Sequence, residues 1–126
     1  MVEGNNHKNA ENSVEIAGAG PGGLAAAITL ARAGRKVVVH KMQKEVGHRF
    51  GGDFQGLENW TTRENVLKVL EGWGITTDFN APPGDKCTIF DPKGNAYKVE
   101  SDEPLFYLVE RGPGPGTLDS ALLDQA

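Results

Sequence analysis

The sequence has few of the features that define disulfide-rich, metal-cluster or membrane-spanning proteins. Cys87 is the only cysteine among the 126 residues, which excludes a disulfide within the chain and a cysteine-based metal cluster, and we expect no metal site. No apolar run approaches the roughly 20 residues of a transmembrane helix, so we expect no transmembrane segment. Residues 1–9 also lack the apolar stretch of a signal peptide. The cytoplasm is therefore the expected location.

The chain also has no excess of positive charge. Its 13 Lys and Arg residues are outnumbered by 17 Asp and Glu residues, for a formal net charge of -4. Because binding to nucleic acid depends on neutralising phosphates, this balance argues against a general nucleic-acid binder. The length and the 38% hydrophobic content suit one domain with a modest core. Residues 1–12 are polar and predict a disordered tail, followed by a domain over residues 13–126.

A glycine-rich stretch over residues 16–24 has the pattern G-x-G-x-x-G. A short apolar run precedes it and an alanine-rich helix follows, and in that context the pattern is typical of dinucleotide binding. The first glycine permits a tight turn, the second lets the backbone approach a pyrophosphate, and the third lets helix and strand pack closely. The candidate cofactor-binding residues of this turn are Gly18, Ala19, Gly20, Pro21, Gly22 and Gly23.

The helix after the glycines is predicted to end at Gly34, which suits the first position beyond a helix. Three valines follow over 37–39 and predict a strand that is buried on both faces. Residues 13–41 are therefore predicted to form a βαβ unit. We expect an α/β fold with a Rossmann-like βαβ dinucleotide-binding core and a small β-meander insertion, incomplete at the C-terminus.

The remaining sequence predicts further elements of the same domain. These are a loop over 42–60, a helix over 61–75, β-strands over 86–110 and the start of a helix over 117–126. Thr61 or Thr62 can cap the helix predicted over 61–75, and Thr117 can cap the helix that starts over 117–126. Because the last helix is short and a parallel sheet needs both faces covered, we expect the front portion of a larger protein. A missing C-terminal domain or a second chain would complete it.

Three segments together resemble a known enzyme family: the glycine turn, the glycine-rich loop over 46–60, and Glu110-Arg111-Gly112 with residues 118–123. They resemble FAD-dependent oxidoreductases of the glutathione-reductase-like superfamily, and most of all the geranylgeranyl-reductase-like flavoprotein dehydrogenases. The resemblance implies FAD as cofactor and a Rossmann-like FAD domain interrupted by a β-rich insertion. It also implies that Arg49 and Arg111 lie near the pyrophosphate or the adenosine ribose.

Lys41 departs from the dinucleotide-binding pattern. That position follows the second strand, where an acidic side chain ordinarily accepts a hydrogen bond from a ribose hydroxyl. An ammonium group has only donors and cannot do this. Three interpretations stay open: FAD binds more weakly, Glu45 takes over the role, or the site prefers the 2′-phosphate of NADP.

The dinucleotide-binding pattern together with the resemblance implies the portion of a flavin-dependent oxidoreductase that binds the ADP moiety of FAD. No set of catalytic residues can be named, and the isolated chain is expected to lack a complete active site. One alternative is a stand-alone nucleotide-binding module for FAD or NADP without turnover. A truncated, non-functional product is the other.

Overall fold

The computed structural model describes residues 12–126, so all of the predicted tail except Asn12 lies outside the described residues. The described strands are β1 (Ser13–Ala17), β2 (Lys36–His40), β3 (Phe54–Glu58), β4 (Pro83–Gly84), β5 (Lys86–Phe90), β6 (Ala96–Glu100) and β7 (Phe106–Glu110). The helices are α1 (Pro21–Arg32), α2 (Val66–Gly72) and α3 (Leu118–Gln125), with a 3₁₀ turn at His48–Phe50. Within this part of the chain, no helix has the length and apolar character needed to cross a membrane.

The N-terminal part has the predicted βαβ order. β1 and β2 pair in parallel, from Ser13 opposite Lys36 to Ala17 opposite His40, and α1 connects them. Gly34 follows the end of α1 with a φ of 76°, a left-handed conformation that suits glycine. The α/β class with a Rossmann-like dinucleotide-binding core is confirmed.

The predicted loop over 42–60 contains more structure than the sequence indicates. It includes the 3₁₀ turn and β3, which pairs antiparallel with β7 from Phe54 opposite Glu110 to Glu58 opposite Phe106. The β3 sequence, FQGLE, has a central glycine and no alternation of apolar and polar residues. The strand therefore depends on its distant partner rather than on local propensity.

The strands over 86–110 do not form one continuous meander. β5 and β6 form an antiparallel hairpin, whereas β7 lies between β3 and β4 in a separate three-stranded sheet. β7 is the best buried of these strands, because Tyr107 and Val109 are both buried. This central strand ends at Glu110, so it delivers Arg111 directly to the site described below.

The helix predicted over 61–75 is shorter, because α2 begins only at Val66. Asn65, rather than Thr61 or Thr62, caps it by accepting a hydrogen bond from the N–H of Leu67 at 3.0 Å. The Asn65 side chain also donates to the hydroxyl of Tyr107 on β7. A tertiary contact therefore selects the first residue of this helix.

The hydrophobic core lies between α1 and α3, as their packing contacts show. Its buried members come from both helices, from the loop after β2 and from the segment after α2: Leu24, Ile28, Val46, Ile75 and Leu122. Burial of Val46 is notable because its neighbours along the chain are exposed or half-exposed. This side chain anchors the loop that follows β2 beside the start of α1.

Candidate nucleotide-binding site

The turn between β1 and α1 requires glycine at two positions. Gly18 has a φ of 107°, and its N–H donates to the carbonyl oxygen of His40 at 2.8 Å. A Cβ atom on Gly23 would lie 2.1 Å from the carbonyl oxygen of Gly18. The close packing of α1 on the end of β1 therefore tolerates no side chain at Gly23.

The packing of the described residues does not require glycine at position 20. The φ of -79° and ψ of 175° at Gly20 suit any residue, and a Cβ there would meet no atom of the described residues within 4 Å. Gly20 caps α1 without a side-chain hydrogen bond, and the first turn of the helix carries no acidic residue. The N–H groups and the positive end of the dipole are thus available to an anion.

A cavity of about 310 Å³ opens at this end of α1. Six of the nine predicted cofactor-binding residues line it: Gly18, Ala19, Gly20, Lys41, Arg49 and Arg111. The other three, Pro21, Gly22 and Gly23, lie in the first turn of α1 and are not among the lining residues. The glycine turn, the segment after β2 and the segment after β7 therefore converge on one space.

The charged side chains of the cavity differ in what holds them. Lys41 donates from Nζ to the carbonyl oxygen of Lys44 at 2.7 Å, which ties it to its own loop. Glu45 and Arg49 also line the cavity, and both are exposed. The segment after β2 thus brings one acidic acceptor, Glu45, and two cations, Lys41 and Arg49, to the cavity. Glu45 is present for the alternative in which it accepts from the ribose, and Lys41 for the one in which it pairs with a 2′-phosphate.

Arg111 is buried and fixed by partners from three other elements. Its Nε donates to Oδ2 of Asp119 at 2.7 Å, and a second nitrogen donates to Oδ1 of the same carboxylate at 2.9 Å. A third nitrogen donates to Oε1 of Gln55 on β3, and the Phe50 ring centroid lies 4.6 Å from the guanidinium carbon. We call Arg111, Asp119, Gln55 and Phe50 the arginine corner.

Asp119 is fully buried, with 0% of its surface exposed, so its charge depends on these partners. Burial alone would raise the pKa of the Asp119 carboxyl. Hydrogen bonds from Arg111 and from the N–H of Gly112, together with the guanidinium charge, outweigh burial and hold the pKa below its ordinary value. The pair is therefore ionised at neutral pH.

The loop after β2 packs directly on the arginine corner. A Cβ on Gly47 would lie 2.8 Å from Cγ of Asp119 and 2.8 Å from Cα of Gly112. The N–H of Arg111 also donates to the carbonyl oxygen of Asp53 at 2.8 Å. Because the same loop lines the cavity, its position there depends on the buried ion pair.

The sequence analysis did not name three members of the corner, Asp119, Gln55 and Phe50, as site residues, although all three lie in the segments that carry the family resemblance. Asp119 lies just inside a helix capped by Thr117, where an acidic residue is ordinary and points to no particular partner. The burial of Arg111 would have been a further signal, because a buried arginine is ordinarily paired with a carboxylate. Nothing in the sequence indicates that burial.

Comparison with known proteins gives a family match for part of the chain. Residues 16–63 match the model described as NAD(P)-binding Rossmann-like domain. This segment covers the glycine turn, α1, β2 and β3, and is less than half of the chain. The match therefore supports the dinucleotide-binding core and does not extend to β4–β7 or α3.

Two curated relatives are thiamine thiazole synthases. The protein from Pyrococcus horikoshii is 33% identical over 67 residues, which are 53% of this chain and 27% of that protein. The protein from Thermococcus kodakarensis is 29% identical over 68 residues, or 54% of this chain and 27% of that protein. Both likenesses are confined to about half of the chain.

Solved structures resemble more of the chain. A crystal structure of 2-methyl-3-hydroxypyridine-5-carboxylic acid oxygenase matches with a TM-score of 0.66 and 26% identity, over 90% of this chain and 28% of that one. A p-nitrophenol 4-monooxygenase from Pseudomonas putida matches with a TM-score of 0.58 at 18% identity, which shows the fold alone. The chain spans less than a third of the length of all these relatives.

Neither comparison singles out the branch that the motifs resemble most. The relatives named above are thiazole synthases, an oxygenase and a monooxygenase. Membership of the glutathione-reductase-like superfamily, and of its geranylgeranyl-reductase-like branch, stays a prediction.

Proposed function

We propose that this chain binds the adenosine diphosphate half of FAD, as the nucleotide-binding portion of a flavin-dependent oxidoreductase. The observation that carries the proposal is the cavity at the open N-terminus of α1. There Gly20 leaves space that no described atom fills, and no side chain of the described residues caps the N–H groups of the first turn. The positive end of α1 suits the negative charge of a diphosphate, and the open space at Gly20 would let one approach the backbone.

The choice of FAD over NAD rests on the chemistry of the relatives. The structure most similar in fold and identity among those above is an oxygenase. Among dinucleotide cofactors, the flavins are those that carry oxygen chemistry, whereas the nicotinamides transfer hydride. When bound, the flavin would supply the redox chemistry, and the protein would bind and orient it.

The described residues suit distinct parts of the nucleotide. The first turn of α1 would hold the diphosphate, and Arg49 and Arg111 would donate to its oxygens, as guanidinium groups pair well with phosphates. Glu45 would accept from the ribose hydroxyl in place of the acidic residue that Lys41 replaces. The cavity of about 310 Å³ is at the lower end of the range for ligand sites, so we expect it to hold part of the dinucleotide.

The flavin end would need further protein. This chain spans 28% of the oxygenase it resembles. We propose that a further domain or a second chain surrounds the flavin ring, and that residues 13–126 form the N-terminal part of one FAD domain. We therefore expect nucleotide binding from this chain and no redox turnover by it alone.

Calorimetric titration with FAD, ADP and NADP in parallel tests the proposal. We expect FAD and ADP to bind with similar affinity, because the described residues contact the half that the two ligands share. Absence of binding by both would contradict the proposed function.

A second candidate is an NADP site, which Lys41 favours because an ammonium at the cavity can pair with a 2′-phosphate. The variant Lys41→Glu separates the two candidates. If FAD is the ligand, the new carboxylate accepts from the ribose, and FAD affinity rises by about fivefold, or roughly 1 kcal/mol. If NADP is the ligand, the variant loses NADP binding by a similar factor.

Lys44→Glu is the matched control, because it makes the same change of charge at a residue that does not line the cavity. Only the Lys44 carbonyl bonds to Lys41, and this substitution keeps it. A similar response of both variants would indicate long-range charge rather than contact with the nucleotide.

A further inference from the structure

We infer that Asp119 is a positioning residue for the nucleotide diphosphate, an inference that rests on the proposed function. Its carboxylate holds the Arg111 guanidinium as a fixed set of N–H donors at the cavity. Because the buried carboxylate compensates the positive charge of Arg111, this arginine would contribute to binding through the position of its donors rather than through net charge.

The hydrogen bonds of Arg111 leave donors for a ligand. A guanidinium has five N–H groups. Two donate to the Asp119 carboxylate and one donates to Gln55. With the described residues as partners, two of the five N–H groups have no acceptor, on a side chain that lines the cavity. A phosphate oxygen can accept from them without displacing an existing partner.

The guanidinium has little freedom to turn. The bidentate pair with Asp119 fixes its plane from α3, Gln55 holds a third nitrogen from β3, and the Phe50 ring lies 4.6 Å from its central carbon. A donor already held in place loses little side-chain entropy when the ligand arrives. This preorganisation is the contribution that we assign to Asp119.

The carboxylate also supports the cavity wall. Its Oδ2 accepts from the N–H of Gly112 at 2.9 Å, and Gly47 packs too closely on Asp119 to carry a side chain. Gly47 begins the 3₁₀ turn that presents Arg49 to the cavity. Loss of the carboxylate would therefore loosen both arginines that the site uses.

The variant Asp119→Asn distinguishes two roles of Arg111, because a role through charge and a role through fixed position predict opposite changes in ADP affinity. If Arg111 acted through charge alone, removing the compensating carboxylate would free a cation beside the diphosphate and tighten ADP binding. If Asp119 positions Arg111, the variant loses one bidentate partner, and ADP binding weakens. We expect the dissociation constant for ADP to rise by about fivefold to tenfold, a loss within the range of one hydrogen bond of ordinary strength.

Adenosine serves as the control ligand, because a general loss of structure would weaken the binding of adenosine together with that of ADP. Because adenosine has no phosphate, we expect its affinity to stay within about twofold in Asp119→Asn, so the ratio of ADP to adenosine affinity falls. An unchanged or tighter ADP affinity in the folded variant would overturn the inference. An equal loss for both ligands would also overturn it.

Gln55→Ala keeps the inference testable if Asp119→Asn does not fold. Gln55 is exposed, so its truncation removes one tie to Arg111 with little risk to the core. We expect ADP to bind about twofold to threefold more weakly. Gln125→Ala is the matched control, because Gln125 lies at the far end of α3 and does not line the cavity. Equal ADP affinity of the two glutamine variants would overturn the inference.

Failure of the inference differs from failure of the proposed function. If the wild-type chain binds neither ADP nor FAD, the proposed function is wrong and the inference falls with it. If the wild-type chain binds ADP and the variants bind it equally well, the site stands and the role of Asp119 is refuted. Thermal unfolding of each variant, followed by circular dichroism, shows which proteins are folded under the titration conditions.

Discussion

The glycine turn and the arginine corner border the same cavity but are built in different ways. The turn uses the backbone of consecutive residues over 18–23, and its two structural requirements, at Gly18 and Gly23, concern backbone space. The corner uses four side chains between Phe50 and Asp119, from the 3₁₀ turn, β3, the end of β7 and α3.

This difference separates two ways of holding a phosphate. The turn can form as soon as β1, α1 and β2 come together, since its contacts lie within 30 residues of one another. The corner exists only after α3 and the β3–β7 pair are both in place. The position of its donors therefore depends on the stability of the whole described domain. We expect substitutions in the corner to lower the unfolding free energy more than substitutions in the turn.

The largest effect is expected at the corner, from Arg111→Leu. This change leaves the fully buried Asp119 carboxylate without its partner, and breaking a buried pair costs about 3–5 kcal/mol of unfolding free energy. Urea denaturation measures the loss. The double variant Arg111→Leu/Asp119→Leu should be less destabilised than the single one, because no buried charge remains. A double variant that is the less stable of the two would contradict this account.

A smaller effect is expected in the turn, from Gly23→Ala. The added Cβ would lie 2.1 Å from the carbonyl oxygen of Gly18, so α1 must shift away from β1. Such overpacking costs about 1–3 kcal/mol. Gly22→Ala is the matched control, because a Cβ there meets no described atom within 4 Å and alanine favours the helix. Equal stability of the two variants in urea would show that the close approach is not maintained in solution.

The smallest effect is expected from acid. The pKa of Asp119 is lowered in the folded protein, so its contribution to stability is fully present above its ordinary pKa of 3.8 and is lost as the pH falls through the lower folded value. The wild-type unfolding free energy should therefore decrease more steeply below about pH 4 than that of Asp119→Asn. Parallel pH profiles would mean that the carboxyl does not titrate with unfolding.

The same contrast explains how much the sequence revealed. The βαβ unit, the end of α1 near Gly34 and the cap at Thr117 were all predictable, because each depends on residues close together in the chain. The glycine spacing also identified the position of the cavity. Turns and helix caps require particular residue types, so they can be recognised from the sequence alone.

Features that depend on distant partners were not predictable. β3 forms because β7 pairs with it, and α2 begins at Val66, after a cap residue, Asn65, whose side chain also reaches Tyr107. Asp119 resembles any acidic residue in the first turn of a helix. A single sequence does not show which arginine will be buried against it, so the arginine corner required the structure.

The most direct test of the central claim compares ADP binding by Gly20→Ala and Gly22→Ala in calorimetric titrations. Neither added Cβ meets a described atom within 4 Å, yet only Gly20 lines the cavity. If a diphosphate occupies this space, Gly20→Ala should weaken ADP binding by roughly tenfold, about 1.4 kcal/mol, while Gly22→Ala stays within about twofold of the wild type. Equal ADP affinity of the two folded variants would contradict a diphosphate site at the N-terminus of α1.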